Sequence, residues 1–182
     1  MPSSAKTELR RRLRAELARM SPAACATASE SIRTSIPTLP RWQAVRVVAA
    51  YAALPDEPDL QPFDWTPERT LILPRMDGEN LAFHEIRSPA DLVPARFGVL
   101  EPDPDKCPPA DPACAGVIFV PGAAFTADGD RLGRGRGYYD RLLAALPSSV
   151  LRVGVCFRGQ LVETLPLEAH DQGVDIVLTS PD

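Results

Sequence analysis

One short stretch of the sequence combines closely spaced glycines with arginines, and this combination suits the binding of a polyphosphate. Glycines let backbone N–H groups approach an oxyanion closely, and arginines donate forked hydrogen bonds to phosphate oxygens. The stretch follows an apolar run typical of a buried strand and precedes a helical pattern, whose first turn also favours an anion. It has glycines at 133, 135 and 137 and arginines at 131, 134, 136 and 141. We therefore predict a phosphate cradle between a strand and a helix.

This cradle matches neither of two common phosphate-binding motifs. No GxxxxGK[ST] pattern of a P-loop can be drawn through it. A GxGxxG pattern that starts at Gly133 would need glycine where the sequence has Tyr138. A flexible surface turn rich in glycine and arginine is the alternative that composition alone leaves open.

Hydrophobic periodicity indicates the elements that must position the cradle. Leu9, Leu13 and Leu17 recur at every fourth position, which predicts a helix over residues 4–17, and Pro22 begins a second helix that extends to residue 36. Further helices are predicted over residues 59–65 and 138–146. Strands are predicted over residues 45–51, 70–74, 80–86, 116–121, 150–157 and 174–179. The alternation favours an α/β fold with a mainly parallel sheet and an N-terminal helical hairpin packed on it.

Two segments between these elements are marked by turn-forming residues. Asp77-Gly78 indicates a hairpin-type turn, although its flanking strands need not pair directly. Residues 88–113 hold many of the 20 prolines of the chain and show little periodicity. Because proline is confined to loops, strand edges and helix starts, we predict that this segment is a surface excursion.

Composition and charge restrict the classes of protein to which the chain can belong. Its 182 residues are 45% hydrophobic and 24% charged, which is the mix of a globular domain, and we expect residues 1–182 to form one domain. The net charge of −4 argues against a nucleic-acid partner or an anionic membrane surface. The sequence has neither an apolar run of the roughly 18 residues that a membrane span needs nor a secretory h-region. A cytoplasmic protein is therefore expected.

The four cysteines and two histidines follow no metal-binding spacing, so a structural zinc is not expected. Cys107 and Cys114 share the proline-rich segment and could bridge in an oxidising compartment. Without a secretory signal, we predict reduced thiols instead.

The cradle, written Arg131-Leu-Gly-Arg-Gly-Arg-Gly-Tyr-Tyr-Asp140 with Pro121-Gly-x-x-Phe125 before it, resembles the signature of the 5-formyltetrahydrofolate cyclo-ligase family, also called methenyltetrahydrofolate synthetases. The resemblance spans the chain. Further matches are Lys6-Thr-Glu-Leu-Arg10, Tyr51 with Asp56-Glu57, Leu73-Pro74-Arg75, Phe97-Gly-Val-Leu-Glu101-Pro102, Gln160 with Leu165-Pro166, His170-Asp171 and Val174-Asp175. The chain departs from the family pattern at Thr126, which is usually aspartate, and over residues 103–113, which match no part of it.

The resemblance implies an ATP-dependent, magnesium-assisted ring closure of 5-formyltetrahydrofolate to 5,10-methenyltetrahydrofolate, with release of ADP and phosphate. In that reaction the formyl oxygen attacks the γ-phosphate to give an imidate-like phosphate. The nitrogen at position 10 then attacks the activated carbon, and phosphate leaves. The resemblance also implies a three-layer sandwich like the ribose-phosphate isomerase and CoA-transferase folds. We expect a monomer whose partner is the small-molecule folate, with no nucleic acid and no membrane.

Residue roles follow from the same resemblance. The ATP-binding positions are Lys6, Thr7, Glu8, Leu9 and Arg10, together with Arg131, Leu132, Gly133, Arg134, Gly135, Arg136, Gly137, Tyr138 and Tyr139. Ala52 and Glu57 match the folate contacts, and Asp140 and Asp171 match carboxylates on the metal side.

Plainer explanations exist for several of these residues. Lys6 and Arg10 could form a solvated helix face, although their spacing also lets both reach one anion. Glu57 could be a solvent-facing loop acid. Asp140 could be an acid in the first turn of a helix, and Asp171 a turn residue.

Two other functions are open at this stage. The first is a sugar-phosphate isomerase or acyl-transferase on a related fold, because fold does not fix chemistry. The second is a nucleic-acid-binding module that uses Arg10-Arg11-Arg12 and the cradle, against which the net charge argues.

Overall fold

The computed structural model describes residues 4–63 and 68–181. Its helices are α1 (Ser4–Leu17), α2 (Pro22–Ser35) and α3 (Tyr138–Ala145). Its strands are β1 (Val47–Ala49), β2 (Thr70–Asp77), β3 (Asn80–Ile86), β4 (Leu92–Pro94), β5 (Leu100–Pro102), β6 (Pro109–Ala110), β7 (Val117–Pro121), β8 (Ala124–Phe125), β9 (Arg131–Leu132), β10 (Leu151–Cys156) and β11 (Ile176–Thr179).

A seven-stranded sheet forms the centre of the fold, with the strand order β11-β10-β7-β1-β2-β3-β6. The five strands from β11 to β2 are parallel, and β3 and β6 are antiparallel additions at one edge. From β1 the chain passes to β2 on one side, and it later returns as β7 on the other side of β1. The gap beyond the carboxyl ends of β1 and β7 is therefore the point at which the connections change direction, where open α/β sheets bind ligands.

Helices cover both faces of this sheet because alternate strand residues point to opposite sides. Val117 and Phe119 of β7 share one core cluster with Ile32 of α2. Ile118 of β7 lies in a second cluster with Leu143 of α3. The structure thus confirms the predicted α/β fold with helix layers around a mainly parallel sheet.

The N-terminal helices are also confirmed, and both pack on the body of the protein. In α1, Leu13 is 2% exposed and packs with Ala124 and Leu132, next to the cradle. Proline at the start of α2 and the Ser21 side chain, which accepts a hydrogen bond from the N–H of Ala24, explain why the second helix begins where it does. In the part of the chain that the structure describes, no helix is long and apolar enough to cross a lipid bilayer.

The strand predicted over residues 45–51 and the helix predicted over residues 59–65 differ from the structure. This strand is shorter, Val47–Ala49, and the residues after it have no regular secondary structure. Residues 59–63 of the predicted short helix are not helical, because Pro62 cannot donate the hydrogen bond that a helix needs there. Its last residues, 64–65, lie outside the described residues.

The proline-rich segment 88–113 is more ordered than a surface excursion. β4 pairs with β5, and β6 joins the edge of the main sheet through β3. Glu101 and Cys107 in this segment are buried. Just before it, β2 and β3 do pair directly as a hairpin through Asp77 and Asn80, with Gly78 at a φ of +58°.

Candidate active site

A cavity of about 460 Å³ opens where the connections of the sheet change direction. Tyr51 and Ala52, which follow β1, form one wall, and Pro121 at the end of β7 forms another. Most of the surface is apolar, with Leu54, Met76, Leu81, Val99 and Leu100 among the lining residues. The polar residues of the cradle form the remaining side, and we call this space the first cavity.

A second cavity of about 490 Å³ lies on the other side of the cradle. Lys6 and Arg10 of α1 line it, as do Gly135 of the cradle and Asp171. Four residues line both cavities, namely Gly133, Arg136, Gly137 and Asp140. The cradle is therefore a wall shared by two adjoining spaces.

Glycine is required in the cradle by its backbone conformation. Gly135 has a φ of +96°, and Gly137, which caps the N-terminus of α3, has a φ of +70°. Both angles lie in the region that L side chains rarely adopt. Arg10 fixes the loop from the other side, because its Nε donates to the carbonyl oxygen of Gly133 at 2.8 Å. Helix α1 thus holds the cradle in the shape that exposes its backbone.

Arg131 and Asp140 form a buried ion pair at the base of the cradle. The Nη2 of Arg131 lies 2.6 Å from Oδ1 of Asp140, and the side chain of Arg131 is 2% exposed. Its Nε also donates to the carbonyl oxygen of Gln172 at 3.2 Å. Burial lowers the pKa of Arg131, and the charge of Asp140 acts in the opposite direction. This pair connects the two ends of the cradle.

Arg134 joins the cradle to the loop that follows β1. Its Nε lies 2.7 Å from Oε1 of Glu57, and its two terminal nitrogens lie 3.1 and 2.8 Å from the carboxylate oxygens of Asp56. The second oxygen of Glu57 accepts from the backbone N–H of Leu54 at 3.0 Å. Burial raises the pKa of Glu57, although the charge of Arg134 acts against the rise. Glu57 is therefore a buried acid on the wall of the first cavity and not a solvent-facing loop residue.

Lys6 is held among acidic side chains at the second cavity. Its Nζ lies 2.5 Å from Oδ2 of Asp171 and 3.1 Å from Oε2 of Glu168. Burial alone would raise the pKa of Asp171, but the hydrogen bond from Lys6 and the backbone N–H of Glu168 outweigh it and lower that pKa. His170 lies nearby, with its Nε2 at 3.5 Å from Oε2 of Glu168. Glu168, His170 and Asp171 have the spacing of a cation site.

The remaining predicted residues do not all reach the two cavities. Thr7 and Glu8 are exposed on the outer face of α1, and Glu8 pairs with Arg11. Leu9 and Leu132 belong to the core cluster under the cradle. Only their backbones or their packing can serve the site.

Two residues of the site were not predicted as site residues from the sequence. Asp56 pairs with Arg134. Glu101 is buried on the wall of the first cavity, where it accepts from the N–H of Met76 at 3.1 Å. Arg141, which was among the arginines of the predicted cradle, lines the second cavity and donates to the carbonyl oxygen of Glu79. Asp56 lies beside Glu57 and between Pro55 and Pro58, and that position could have singled it out.

The chain is similar to several known proteins. The 5-formyltetrahydrofolate cyclo-ligase of Escherichia coli is 31% identical over 80% of this chain and 84% of its own length. The enzyme of that name from Mycolicibacterium smegmatis is 40% identical over 50% of this chain, but the match spans 47% of its length. The NMR structure of Aquifex aeolicus 5,10-methenyltetrahydrofolate synthetase superposes with a TM-score of 0.83 at 35% identity, over 96% of this chain and 89% of that one.

The sequence model of one family covers nearly the whole chain. It is the model of the 5-formyltetrahydrofolate cyclo-ligase family, and it matches residues 2–180. The match includes the cradle, the first helix and the loop of Glu57 together. The chain therefore belongs to the 5-formyltetrahydrofolate cyclo-ligase family.

Proposed function

We propose that the protein converts 5-formyltetrahydrofolate to 5,10-methenyltetrahydrofolate, with ATP converted to ADP and phosphate. The observation that carries the proposal is the cradle shared by two adjoining cavities. A phosphoryl transfer needs the nucleophile and the phosphate in contact but held by different groups, and two spaces that share one wall meet that need. Membership of the family supplies the substrate and the reaction.

We assign the ATP phosphates to the second cavity. The positive-φ glycines leave the backbone of the cradle open to an oxyanion, and Lys6 and Arg10 add positive charge from α1. Phosphoryl transfer depends mainly on positioning and on neutralising charge, which are the two things that these groups do. Arg136 borders both cavities, so it is the arginine best placed to contact the γ-phosphoryl group both before and after its transfer.

The folate belongs in the first cavity on this proposal. Its apolar walls suit a flat ring, and the buried carboxylate of Glu57 suits the paired N–H donors of a pterin. Ala52 lines the same cavity and is 9% exposed, so that its small side chain leaves room beside Glu57. The formyl oxygen then faces the cradle across the shared wall. It attacks the γ-phosphate there and displaces ADP. The nitrogen at position 10 then attacks the activated carbon and loses its proton, and phosphate leaves as the ring closes.

The acidic residues of the second cavity fit a magnesium ion. Asp140 and Asp171 both line that cavity, and each uses only one carboxylate oxygen in the hydrogen bonds that the structure gives it. Mg²⁺ takes one or two carboxylates together with phosphate oxygens and water. When bound, the ion would neutralise charge on the phosphates. Within the chain itself, Lys6 and Arg131 form ion pairs with these two aspartates and hold them in place.

The test is a spectrophotometric assay of the purified protein. Mixing it with 5-formyltetrahydrofolate, ATP and Mg²⁺ should produce the absorbance of the conjugated methenyl product together with one ADP per turnover. Omitting ATP should abolish both signals. Product without ADP would reject the role of ATP, and neither signal would reject the function.

We further propose that residues 1–182 act as one domain, as a monomer in the cytoplasm. The four cysteines are free in the structure, and Cys114 is exposed, which suits a reducing compartment. Light scattering of the purified protein and fractionation of the source cells test these two points.

A further inference from the structure

Among the residues that the structure describes, four arginines line the first cavity, and one of them has neither a partner nor a proposed role. Arg131 and Arg134 form ion pairs with acidic residues of the site. The proposed function assigns Arg136 to the γ-phosphoryl group. The fourth is Arg14, in the last turn of α1. Its side chain is exposed and forms no hydrogen bond or ion pair within the described part of the chain.

Arg14 belongs to a row of three cations on one face of α1. Lys6, Arg10 and Arg14 follow one another at intervals of four residues, which places them on the same side of a helix. Lys6 and Arg10 line the second cavity, and Arg10 and Arg14 line a small pocket of about 110 Å³. Of the three, only Arg14 lines the first cavity. The row therefore runs from the second cavity to the first, and Arg14 is its end at the first.

The substrate brings an anionic group that the walls of the first cavity cannot accept. A tetrahydrofolate ends in a glutamyl group with two carboxylates, at the opposite end of the molecule from the pterin. The apolar walls disfavour these carboxylates, because burial of an unpaired charge is costly. Glu57 and Glu101, the buried acids of the wall, have the wrong sign of charge to bind an anion. The glutamyl group must therefore lie at the opening, beside a cation that water can reach.

Arg14 meets both requirements, because it is exposed and lines the first cavity. We infer that Arg14 binds the glutamyl carboxylates of 5-formyltetrahydrofolate and so determines which end of the substrate stays at the opening. A guanidinium can donate two parallel hydrogen bonds to one carboxylate. ATP is the other anion of the proposed reaction, but Arg14 does not line the second cavity, to which we assign its phosphates. The inference rests on the proposed function, because that function places the folate in the first cavity.

The experiment compares two ligands that differ only in the charge of the glutamyl group. One is 5-formyltetrahydrofolate, and the other is its diamide, in which both glutamyl carboxylates are neutral carboxamides. The parent should bind the folate about fivefold more tightly than the diamide, which is between the effect of an exposed ion pair and that of a buried charge-assisted bond. Arg14→Gln should lower the affinity for the folate about fivefold and change that for the diamide less than about twofold. The Kd of a non-hydrolysable ATP analogue should stay the same.

Two further variants sharpen the comparison. Arg14→Lys keeps the charge and should recover part of the affinity for the folate. Arg12→Gln is the matched control, because Arg12 is an exposed arginine of α1 that pairs with Glu16 at 3.8 Å and lines neither cavity. It removes the same charge from the same helix and should leave all three affinities unchanged. Salt should reduce the preference of the parent for the folate over the diamide, since the contact is exposed.

The outcomes separate this inference from the proposed function. Equal affinities of the parent for the two ligands, or equal losses of both in Arg14→Gln, would overturn the role of Arg14 and leave the reaction standing. A weaker ATP analogue in Arg14→Gln with unchanged folate affinity would assign Arg14 to the nucleotide instead. A parent that prefers the folate through Arg14 but makes no methenyl product would support the inference and reject the proposed function. A parent that binds neither ligand would reject both.

Discussion

Replacing Asp140 with asparagine separates its place in the buried ion pair from its proposed place at a metal ion. The substitution keeps the shape of the side chain and removes its charge, so that Arg131 stays buried without a full counter-ion. Arg131 is 2% exposed and Asp140 is 17% exposed, and their charged atoms are 2.6 Å apart. If Asp140 served only a metal, the ligand-free protein would not depend on it.

The expected loss can be worked from this geometry. Breaking a fully buried pair costs about 3–5 kcal/mol, and the partial exposure of Asp140 together with the acceptor that asparagine keeps reduces the estimate to about 2–4 kcal/mol. For a chain of this size each kcal/mol lowers the melting temperature by about 2–4 °C, so we expect a fall of roughly 5–15 °C. Burial of Arg131, which already lowers its pKa, is the cause of the penalty.

The assay is urea unfolding and thermal melting without ATP, folate or added metal. Urea is preferred to guanidinium chloride because it does not screen charges. Glu16→Gln, from an exposed pair with a separation of 3.8 Å, should change the free energy of unfolding by less than about 0.5 kcal/mol. A free energy of unfolding for Asp140→Asn that equals the parent value would refute the view that the pair holds the cradle together.

Three further predictions concern individual residues of the site. Glu57→Gln places a donor where two donors converge, so the affinity for 5-formyltetrahydrofolate should fall about tenfold or more by titration; an unchanged affinity would place the pterin elsewhere. Gly135→Ala should weaken ATP binding and lower the free energy of unfolding by about 1–2 kcal/mol, because Gly135 has a φ of +96°. Gly159 has an ordinary φ and open space around it, so Gly159→Ala should change neither the ATP affinity nor the free energy of unfolding. The pKa of Asp171 is lowered in the folded protein, so its ionised carboxylate contributes stability above its ordinary pKa of about 3.9, and this contribution is lost as the pH falls through the lowered value. The free energy of unfolding of Asp171→Asn, measured at a series of pH values, should therefore fall less than that of the parent between roughly pH 5 and pH 3.

Much of the fold followed from the sequence because its patterns are local. The fourfold spacing of leucines in α1 and the apolar runs of β7 and β10 each reflect one element and the face that it buries. The short β1 was overestimated because Ala50 and Tyr51 are buried without belonging to the strand. An apolar pattern in the sequence indicates which residues are buried, and burial continues past Ala49, where the strand itself ends.

Less of the site than of the fold could be predicted from the sequence, because the ion pairs of the site join residues that are far apart in the chain. Nothing local shows that Arg134 meets Asp56, 78 positions earlier. Glu57 could be singled out only through the family resemblance, and its burial became visible with the fold. The small strands of the proline-rich segment were missed because each takes its partners from distant chain and has too few residues for a pattern.

The bonds between α1 and the cradle also set an order of events during synthesis of the chain. Lys6 leaves the ribosome first but finds its partner Asp171 only 165 residues later, and Arg10 waits 123 residues for Gly133. At about 5–20 residues per second, the delay for Lys6 is roughly ten to thirty seconds. Through this interval the leucine face of α1 has no cradle to pack on. On the proposed function, ATP can then engage only a chain whose translation has passed Asp171.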